Sequence, residues 1–316
     1  MKKKFINTET IEGYLYQHKL ALKTVQDPQS KNFGKEFING SVFVATDEAG
    51  LNVIEVHYTY VPVVTNAGSA NKTFTALKQI MEAATWIENG KDAAIKVKLS
   101  PSLALNDFYD KTNTLVSAKR NEGGFAEIVA SINADETKRA TFKTDIVMTS
   151  IKRVEKDEEK GITEDFDEIR GAIFDFKGSV LPFDFRVRNE AGMDYFEGLD
   201  ISSSNPVFTT IWGKIVSQTE KKEIVEPTAF GEPSVRVVEK TNKEYCITGT
   251  NPDSPAFGDD TTITADELKT AMQNREVYLA EVKKRQDEYA ASKSVASAPA
   301  AAPAASTPVQ TGGFTF

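Results

Sequence analysis

The fold is decided by the stretch FINGSVF at residues 37–43, because a second version of it, EIRGAIF at residues 168–174, follows at an offset of 131. Two further matches, at offsets of 129 and 134, pair residues 22–25 with 151–154 and residues 74–77 with 208–211. Three weak matches in the same order at nearly the same offset are stronger than any one of them, and they indicate an internal repeat. The sequence therefore predicts a duplicated module.

Apolar and polar side chains alternate with a period of two in both copies, as expected for strands with one buried and one wet face. Residues 95–99 are an example: Ile95, Val97 and Leu99 share one face, and Lys96 and Lys98 share the other. The repeated unit is therefore a β module.

Each copy has five predicted strands, with a helix between the third and the fourth. That helix is predicted over residues 71–89 in the first copy and over 205–216 in the second. This order is the plan of the OB-fold, a five-stranded Greek-key barrel. We predict a mostly β protein with tandem OB-fold-like five-stranded barrels, a C-terminal helix and a disordered tail. Two Greek-key β-sandwiches are the alternative, since they share the strand count and the alternation.

The chain divides into four predicted segments. They are OB-like domain 1 (1–138), OB-like domain 2 (139–255), a loop and C-terminal helix (256–290), and a disordered Ala/Pro-rich tail with an aromatic tip (291–316). Thr264 and Glu267 have the spacing of a capping box that opens the helix. An apolar seam along the helix suits docking on the chain's own barrel or against a partner helix. Phe314 and Phe316 end a tail that is otherwise free of aromatic residues, so they are predicted to bind a partner protein; the alternative is a terminus without a partner.

The acidic balance of the chain excludes a protein that coats nucleic acid through bulk positive charge. The net charge is -8, from 38 basic and 46 acidic residues. Residues 1–150 carry 18 basic and 17 acidic side chains, whereas residues 151–316 carry 20 and 29. Phosphate binding needs Lys and Arg, so a polyanion site is expected chiefly in the first half.

No catalytic or metal site can be assembled from the residue inventory. His18 and His57 have no Cys or His at metal-ligand spacing, and Cys246 is expected to be a buried small hydrophobe. Phosphate-loop, dinucleotide and nucleophile-elbow motifs do not occur. We therefore predict that the protein is not an enzyme and takes no cofactor and no metal. With one cysteine, no signal-peptide run and no apolar segment of membrane length, a cytoplasmic protein without membrane contact is expected.

Basic and aromatic side chains on a shared sheet face suit single-stranded nucleic acid, which offers phosphates at intervals and flat bases between them. The predicted phosphate contacts are Lys96, Lys98, Lys119, Arg120, Arg186 and Arg188. The predicted stacking residues are Phe108, Tyr109, Phe125 and Tyr195. Trp212 is either a further stacking residue or a plug at the bottom of the barrel.

Two OB-like modules, an acidic charge and a low-complexity tether ending in Phe316 resemble the single-stranded DNA-binding proteins of bacteriophages and mobile elements, and more loosely the bacterial SSB plan. The runs at 37–48 and 205–213 are similar to stretches in phage-encoded replication proteins. The resemblance implies that aromatics and Lys or Arg on strand faces hold DNA, and that the tail recruits replication, recombination and repair proteins. Residues 312–316 depart from that family, whose tip usually carries acidic residues before the final Phe.

The expected function is thus a single-stranded DNA-binding protein that coats and protects single strands in phage or mobile-element replication or recombination, in the host cytoplasm. Its expected partners are single-stranded DNA and, through the tail, replication or recombination proteins. The alternative is a phage structural or assembly protein that uses its paired β domains as protein-interaction platforms. A nuclease is a third option, but the sequence shows no suitable constellation of carboxylates.

Overall fold

The computed structural model describes residues 4–157, 162–226, 230, 234–252, 256–259 and 262–296. Phe314 and Phe316 lie outside the described residues. The strands are β1 (Asn7–His18), β2 (Ala21–Thr24), β3 (Glu36–Ala45), β4 (Val53–Pro62), β5 (Lys96–Tyr109), β6 (Leu115–Val129), β7 (Ala140–Val154), β8 (Phe166–Phe174), β9 (Val180–Val187), β10 (Val207–Glu226) and β11 (Ser234–Thr250). The helices are α1 (Lys72–Met81), α2 (Trp86–Asn89), α3 (Glu190–Glu197) and α4 (Ala265–Ala296), with a short 3-10 helix at Glu136–Lys138.

The first barrel closes through β1, β3, β4, β6 and β5. Neighbouring strands in this ring are antiparallel except for β4 and β6, and the pairing of β1 with both β3 and β5 closes it. Helix α1 lies between β4 and β5, which are the third and fourth strands of this barrel in chain order, as predicted. Asn71 begins α1 by accepting a hydrogen bond from the Thr73 backbone N–H, and Phe74, Leu77 and Ile80 bury its apolar face.

The second barrel repeats this order with β7, β8, β9, β11 and β10. Its parallel pair is β9 with β11, and the pairing of β7 with β10 closes the ring. Both rings have the OB-fold order, and the tandem five-stranded barrels predicted from the sequence are confirmed. The alternative of two β-sandwiches is wrong, because each sheet closes on itself.

The helix of the second barrel was predicted at the wrong place. Residues 205–216 lie mostly in β10, and the helix is α3, which begins at the capping side chain of Asn189. The apolar spacing of Phe208 and Ile211 that suggested a helix belongs to a strand with Phe208, Ile211 and Ile215 buried. The repeat match between 74–77 and 208–211 therefore pairs a helix with a strand and is a coincidence.

The other two repeat matches fall on equivalent positions of the barrels. Leu22 pairs with Ile38 in the first barrel, and Ile151 pairs with Ile169 in the second. The shared glycine also has a physical reason. A Cβ on Gly40, whose φ is 129°, would lie 2.0 Å from the Lys19 carbonyl oxygen, so the close approach of the connection between β1 and β2 requires glycine there.

The two barrels pack against each other. Strands β1 and β7 pair over residues Asn7 to Ile11, which joins the two sheets. Apolar side chains from both barrels belong to a single core cluster. Between the barrels, the buried Tyr245 hydroxyl donates to Asn121 Oδ1 at 2.9 Å. The relative position of the two outer surfaces is therefore fixed.

Helix α4 docks on the chain's own barrel, which is one of the two alternatives for its seam. The predicted capping box is present: Glu267 N donates to Thr264 Oγ1 at 3.2 Å, and Thr264 N donates to Glu267 Oε2 at 2.9 Å. Further along, the buried Arg275 pairs with Asp107 of β5 at 2.8 Å. Gln286 exchanges two hydrogen bonds with the Tyr109 backbone.

Candidate nucleic-acid interface

The outer surfaces of β6, β5, β1, β7 and β10 form one continuous sheet face that crosses both barrels. We call this surface the joint face. Directly opposed residues on antiparallel strands point to the same side, and the register places Thr8 beside Lys143 and Thr10 beside Thr141. The joint face comprises Lys96, Lys98, Glu12, Glu127, Thr8, Thr10, Thr141, Lys143, Trp212 and Lys214, with Phe125 at its edge on β6.

A shallow cleft of about 460 Å³ lies on the part of the joint face where the barrels meet. It is lined by Thr8, Thr10, Thr137, Lys138, Thr141, Phe142, Lys143, Trp212, Gly213, Lys214 and Thr248. The polar lining is threonine hydroxyls and lysine ammonium groups. Both groups can donate hydrogen bonds to phosphate oxygens.

Three exposed lysines on the joint face have no carboxylate partner within the described part of the chain. Among the described residues, no acidic side chain forms an ion pair with Lys98, Lys143 or Lys214. The nearest acidic residues in the sheet are Glu12 and Glu127, which flank Lys98 on the adjacent strands. Neighbouring strands lie about 4.8 Å apart, so Lys98 and Lys214, three strands apart and one same-face step out of line, are about 16 Å from each other. The unpaired positive charge thus spans both barrels.

Trp212 lies flat on the sheet and leaves one side of its indole open to solvent. It is directly opposite Gly249, and a Cβ at that position would lie 2.5 Å from the indole Nε1. The indole thus occupies the space that any other side chain on β11 would fill. The Trp212 side chain is 36% exposed, so it does not plug the barrel. A flat ring with one free face on a polar, cationic sheet is suited to stacking a base.

An aromatic cluster closes the far end of the joint face. Lys96 lies over the Tyr14 ring at 5.9 Å, and Tyr14 meets Trp86 edge to face at 5.7 Å. Glu48, beside this cluster, pairs with Lys91 at 2.5 Å and with Arg139 at 2.8 Å. Hydrogen bonds from these two cations lower the pKa of Glu48 to about 2. Lys96 is therefore the cation of this cluster that faces the joint face.

Two of the predicted phosphate contacts on β6 are committed to other partners. Lys119 pairs with Asp184 of the second barrel at 2.6 Å and lies over the rings of Phe183 and Tyr245. Burial lowers the pKa of Lys119, although the hydrogen bond with Asp184 opposes this shift. Arg120 pairs with Glu122 on its own strand at 2.7 Å. Lys119 therefore connects the barrels, and the charge of Arg120 is neutralised locally.

The two arginines of β9 are also paired internally. Arg186 and Arg188 both bind Glu244 of β11, and Arg188 binds Glu164 as well, at 2.6 Å. Their guanidinium groups lie over the Phe166 ring. A phosphate would have to displace these carboxylates, so the acidic second half of the chain compensates its own arginines.

The predicted stacking residues are dispersed over the molecule. Phe125 is 71% exposed and lies at the edge of the joint face. Phe108 and Tyr109 lie at the other end of β5, where α4 covers the Tyr109 backbone. Tyr195 is 40% exposed on α3, at an edge-to-face contact with Phe196. Of the ten predicted contacts, the joint face brings together Lys96, Lys98 and Phe125.

Sequence reasoning missed Lys143, Lys214 and the threonines of β1 and β7 as site residues. The alternation of Thr141, Phe142 and Lys143 marks a strand with an outward lysine, and this signal was available. The pairing of β1 with β7 could not be predicted, because pairing between modules leaves no periodicity in the sequence of either strand.

Two further observations apply to the described part of the chain. No group of three or more His, Cys, Asp or Glu side chains is placed to hold a metal ion there. Among the same residues, no helix is both long enough and apolar enough to span a bilayer.

Comparison with known proteins identifies the family. No curated protein sequence matches the chain. A solved structure of a deletion mutant of the single-stranded DNA binding protein from Thermus aquaticus is similar to this chain, with a TM-score of 0.46 and 8% identity, over 81% of this chain and 98% of that one. The sequence model of the YorF family matches residues 7–285, which include all strands of both barrels, and the chain belongs to the YorF family.

Proposed function

We propose that the protein is a non-enzymatic single-stranded DNA-binding protein that holds the strand on the joint face. The supporting observation is the combination of unpaired lysines and a flat, half-open indole on one rigid surface. Lys98, Lys143 and Lys214 would neutralise phosphates, and Trp212 would stack a base. The threonine hydroxyls between them would donate hydrogen bonds to phosphate oxygens.

The charge distribution favours the binding of single strands over the binding of a duplex. Elsewhere on the barrels, the arginines of β9 and Arg120 are bound to carboxylates, which repel phosphates. A rigid duplex presents its bases only at the groove edges, whereas an unpaired strand can lay a base on Trp212. Binding is therefore expected to be salt-sensitive and nearly indifferent to sequence.

The biological role we propose is to coat and protect single strands in phage or mobile-element replication or recombination, in the host-cell cytoplasm. The tail, with Phe314 and Phe316, would recruit replication or recombination proteins. This part of the proposal is supported by the sequence resemblance alone.

A titration of oligo-dT and of a duplex of equal length, at several salt concentrations, tests the binding function. We expect tighter binding of oligo-dT, with an affinity that falls linearly in log–log form as salt rises. Equal affinity for the duplex, or no dependence on salt, would refute it. Copurification with virions and no gel shift of labelled single strands would instead favour the structural or assembly protein.

A further inference from the structure

A second and larger cleft opens between the barrels beside the joint face. It encloses about 1140 Å³, and its walls come from β4, β5, β6, the β8–β9 hairpin and α4. We call it the aromatic cleft, because its lining includes four rings that are more than a third exposed: Tyr60, Phe125, Phe176 and Tyr278. Their exposed fractions extend up to 89% for Phe176.

The charged groups in the walls of the aromatic cleft compensate each other. Arg120 pairs with Glu122 at 2.7 Å, and Arg275 pairs with Asp107 at 2.8 Å. Lys177, at the rim, lies over the Phe176 ring at 5.4 Å. A neutral wall does not attract phosphates, but it accepts flat, uncharged rings.

The turn that carries Phe176 is held in place by its own hydrogen bonds. The Asp175 carboxylate accepts from the backbone N–H groups of Lys177 and Ser179 at 2.8 and 2.7 Å. Its charge is thus used within the turn, and Phe176 is presented toward solvent at the mouth of the cleft.

The aromatic cleft is continuous with the joint face. Phe125 is directly opposite Ser100, and Lys98 is the next residue on the same side of β5. Same-side residues are about 7 Å apart along a strand. Phe125 therefore belongs to both surfaces, and a strand held by Lys98 would reach the mouth of the cleft.

We propose that the aromatic cleft binds unpaired nucleobases of the same single strand whose phosphates lie on the joint face. The inference rests on the proposed function, and it assigns the phosphates and the bases of the strand to two different surfaces. The joint face supplies cations for the backbone, and the aromatic cleft supplies exposed rings for the bases. An apolar peptide is the competing occupant.

Variants of the full chain, Phe176→Ala, Tyr278→Ala and both together, test the proposal by titration with oligo-dT. Both side chains are well exposed, so folding should be retained, as circular dichroism can verify. Each base stack lost should weaken binding by about 5- to 150-fold, without a change in the salt slope. Tyr195→Ala, an exposed ring on α3, is the matched control and should bind as the wild type does. Photocrosslinking with 5-iodouracil oligonucleotides should label peptides that contain Phe176 or Tyr278.

The outcomes separate this proposal from the proposed function. Wild-type binding with a salt slope, together with wild-type affinity in the double variant, overturns the base site and leaves the function intact. A wild-type protein that binds no oligonucleotide overturns both. Wild-type affinity for oligo-dT in the double variant, together with crosslinks from a photoreactive residue placed at position 176 to residues 297–316, would assign the cleft to the tail peptide and overturn the proposal.

Discussion

Replacing Trp212 by alanine should weaken binding of oligo-dT by about 5- to 150-fold. Only one side of the indole is available, because the other side covers Gly249. A single stacked base is therefore lost, and one stack is worth about 1 to 3 kcal/mol. No charge is removed, so the slope of log affinity against log salt should not change. Trp212→Phe should retain most of the affinity, since a flat ring remains.

Gly249→Ala tests the orientation of the indole rather than its presence. The added methyl group would overlap the ring at 2.5 Å, so the indole has to leave the sheet while Trp212 stays in the chain. We expect a loss of affinity in the same direction as in Trp212→Ala. The assay is quenching of tryptophan fluorescence in a Trp86→Phe background, in which Trp212 is the remaining tryptophan.

Two results would contradict the reasoning about Trp212. One is an affinity of Trp212→Ala within about twofold of the wild type at every salt concentration, because even the weakest stack is worth about fivefold. The other is quenching by oligo-dT that Gly249→Ala leaves unchanged. Tyr195→Ala again serves as the control for loss of an exposed ring.

Three further predictions concern charge. Replacing Lys98, Lys143 and Lys214 together by alanine should reduce the slope of log affinity against log salt by about 2. The fold-change in affinity between about 50 and 200 mM salt should then be about 18 times smaller than in the wild type. An unchanged slope in titrations with oligo-dT would exclude the three lysines as phosphate contacts. Glu9 is buried, no residue in the described part of the chain forms a hydrogen bond with its carboxyl group, and burial raises its pKa above 4.5. The folded state favours the protonated carboxyl group of Glu9, so this group contributes to stability below that pH, and the contribution is lost as the pH rises. Glu9→Gln should therefore raise the free energy of unfolding in urea by about 1 to 3 kcal/mol at pH 8 and change it little at pH 4. Asp107→Asn leaves Arg275 buried without its carboxylate, which should cost about 3 kcal/mol and speed amide exchange in α4.

The OB-fold plan was readable from the sequence because its signals are local. Alternation marks strands, and the glycine shared by residues 37–43 and 168–174 marks a bulge that each barrel needs. The helix of the second barrel was predicted at the wrong place because apolar spacing is also a local signal. Phe208 and Ile211 are three residues apart, a spacing that a helix shares with a strand that is buried on both faces, and only the pairing of β10 with β7 and β11 decides between them.

The candidate site was only partly readable, because ion pairing depends on tertiary contacts. Lys98 and Arg186 look alike in the sequence, as outward cations on alternating strands. In the structure Glu244 binds Arg186, whereas Lys98 has no ion pair with any described residue. Glu244 is 58 residues from Arg186 in the chain, so no local pattern announces the pairing.

The net charge of -8 and a nucleic-acid role are compatible because the charges are unevenly distributed over the surface of the protein. Carboxylates such as Glu244 and Asp184 neutralise arginines and lysines at the barrel surfaces and between the barrels, whereas no described acidic side chain forms an ion pair with Lys98, Lys143 or Lys214 of the joint face. The joint face draws Lys98 from the first barrel and Lys143 and Lys214 from the second, so neither barrel alone holds the proposed site. The half-buried contact between Lys119 and Asp184 then acquires a role in binding, because it holds together the two halves of one surface. Lys119, which the sequence predicted to contact DNA, would instead position the residues that contact it.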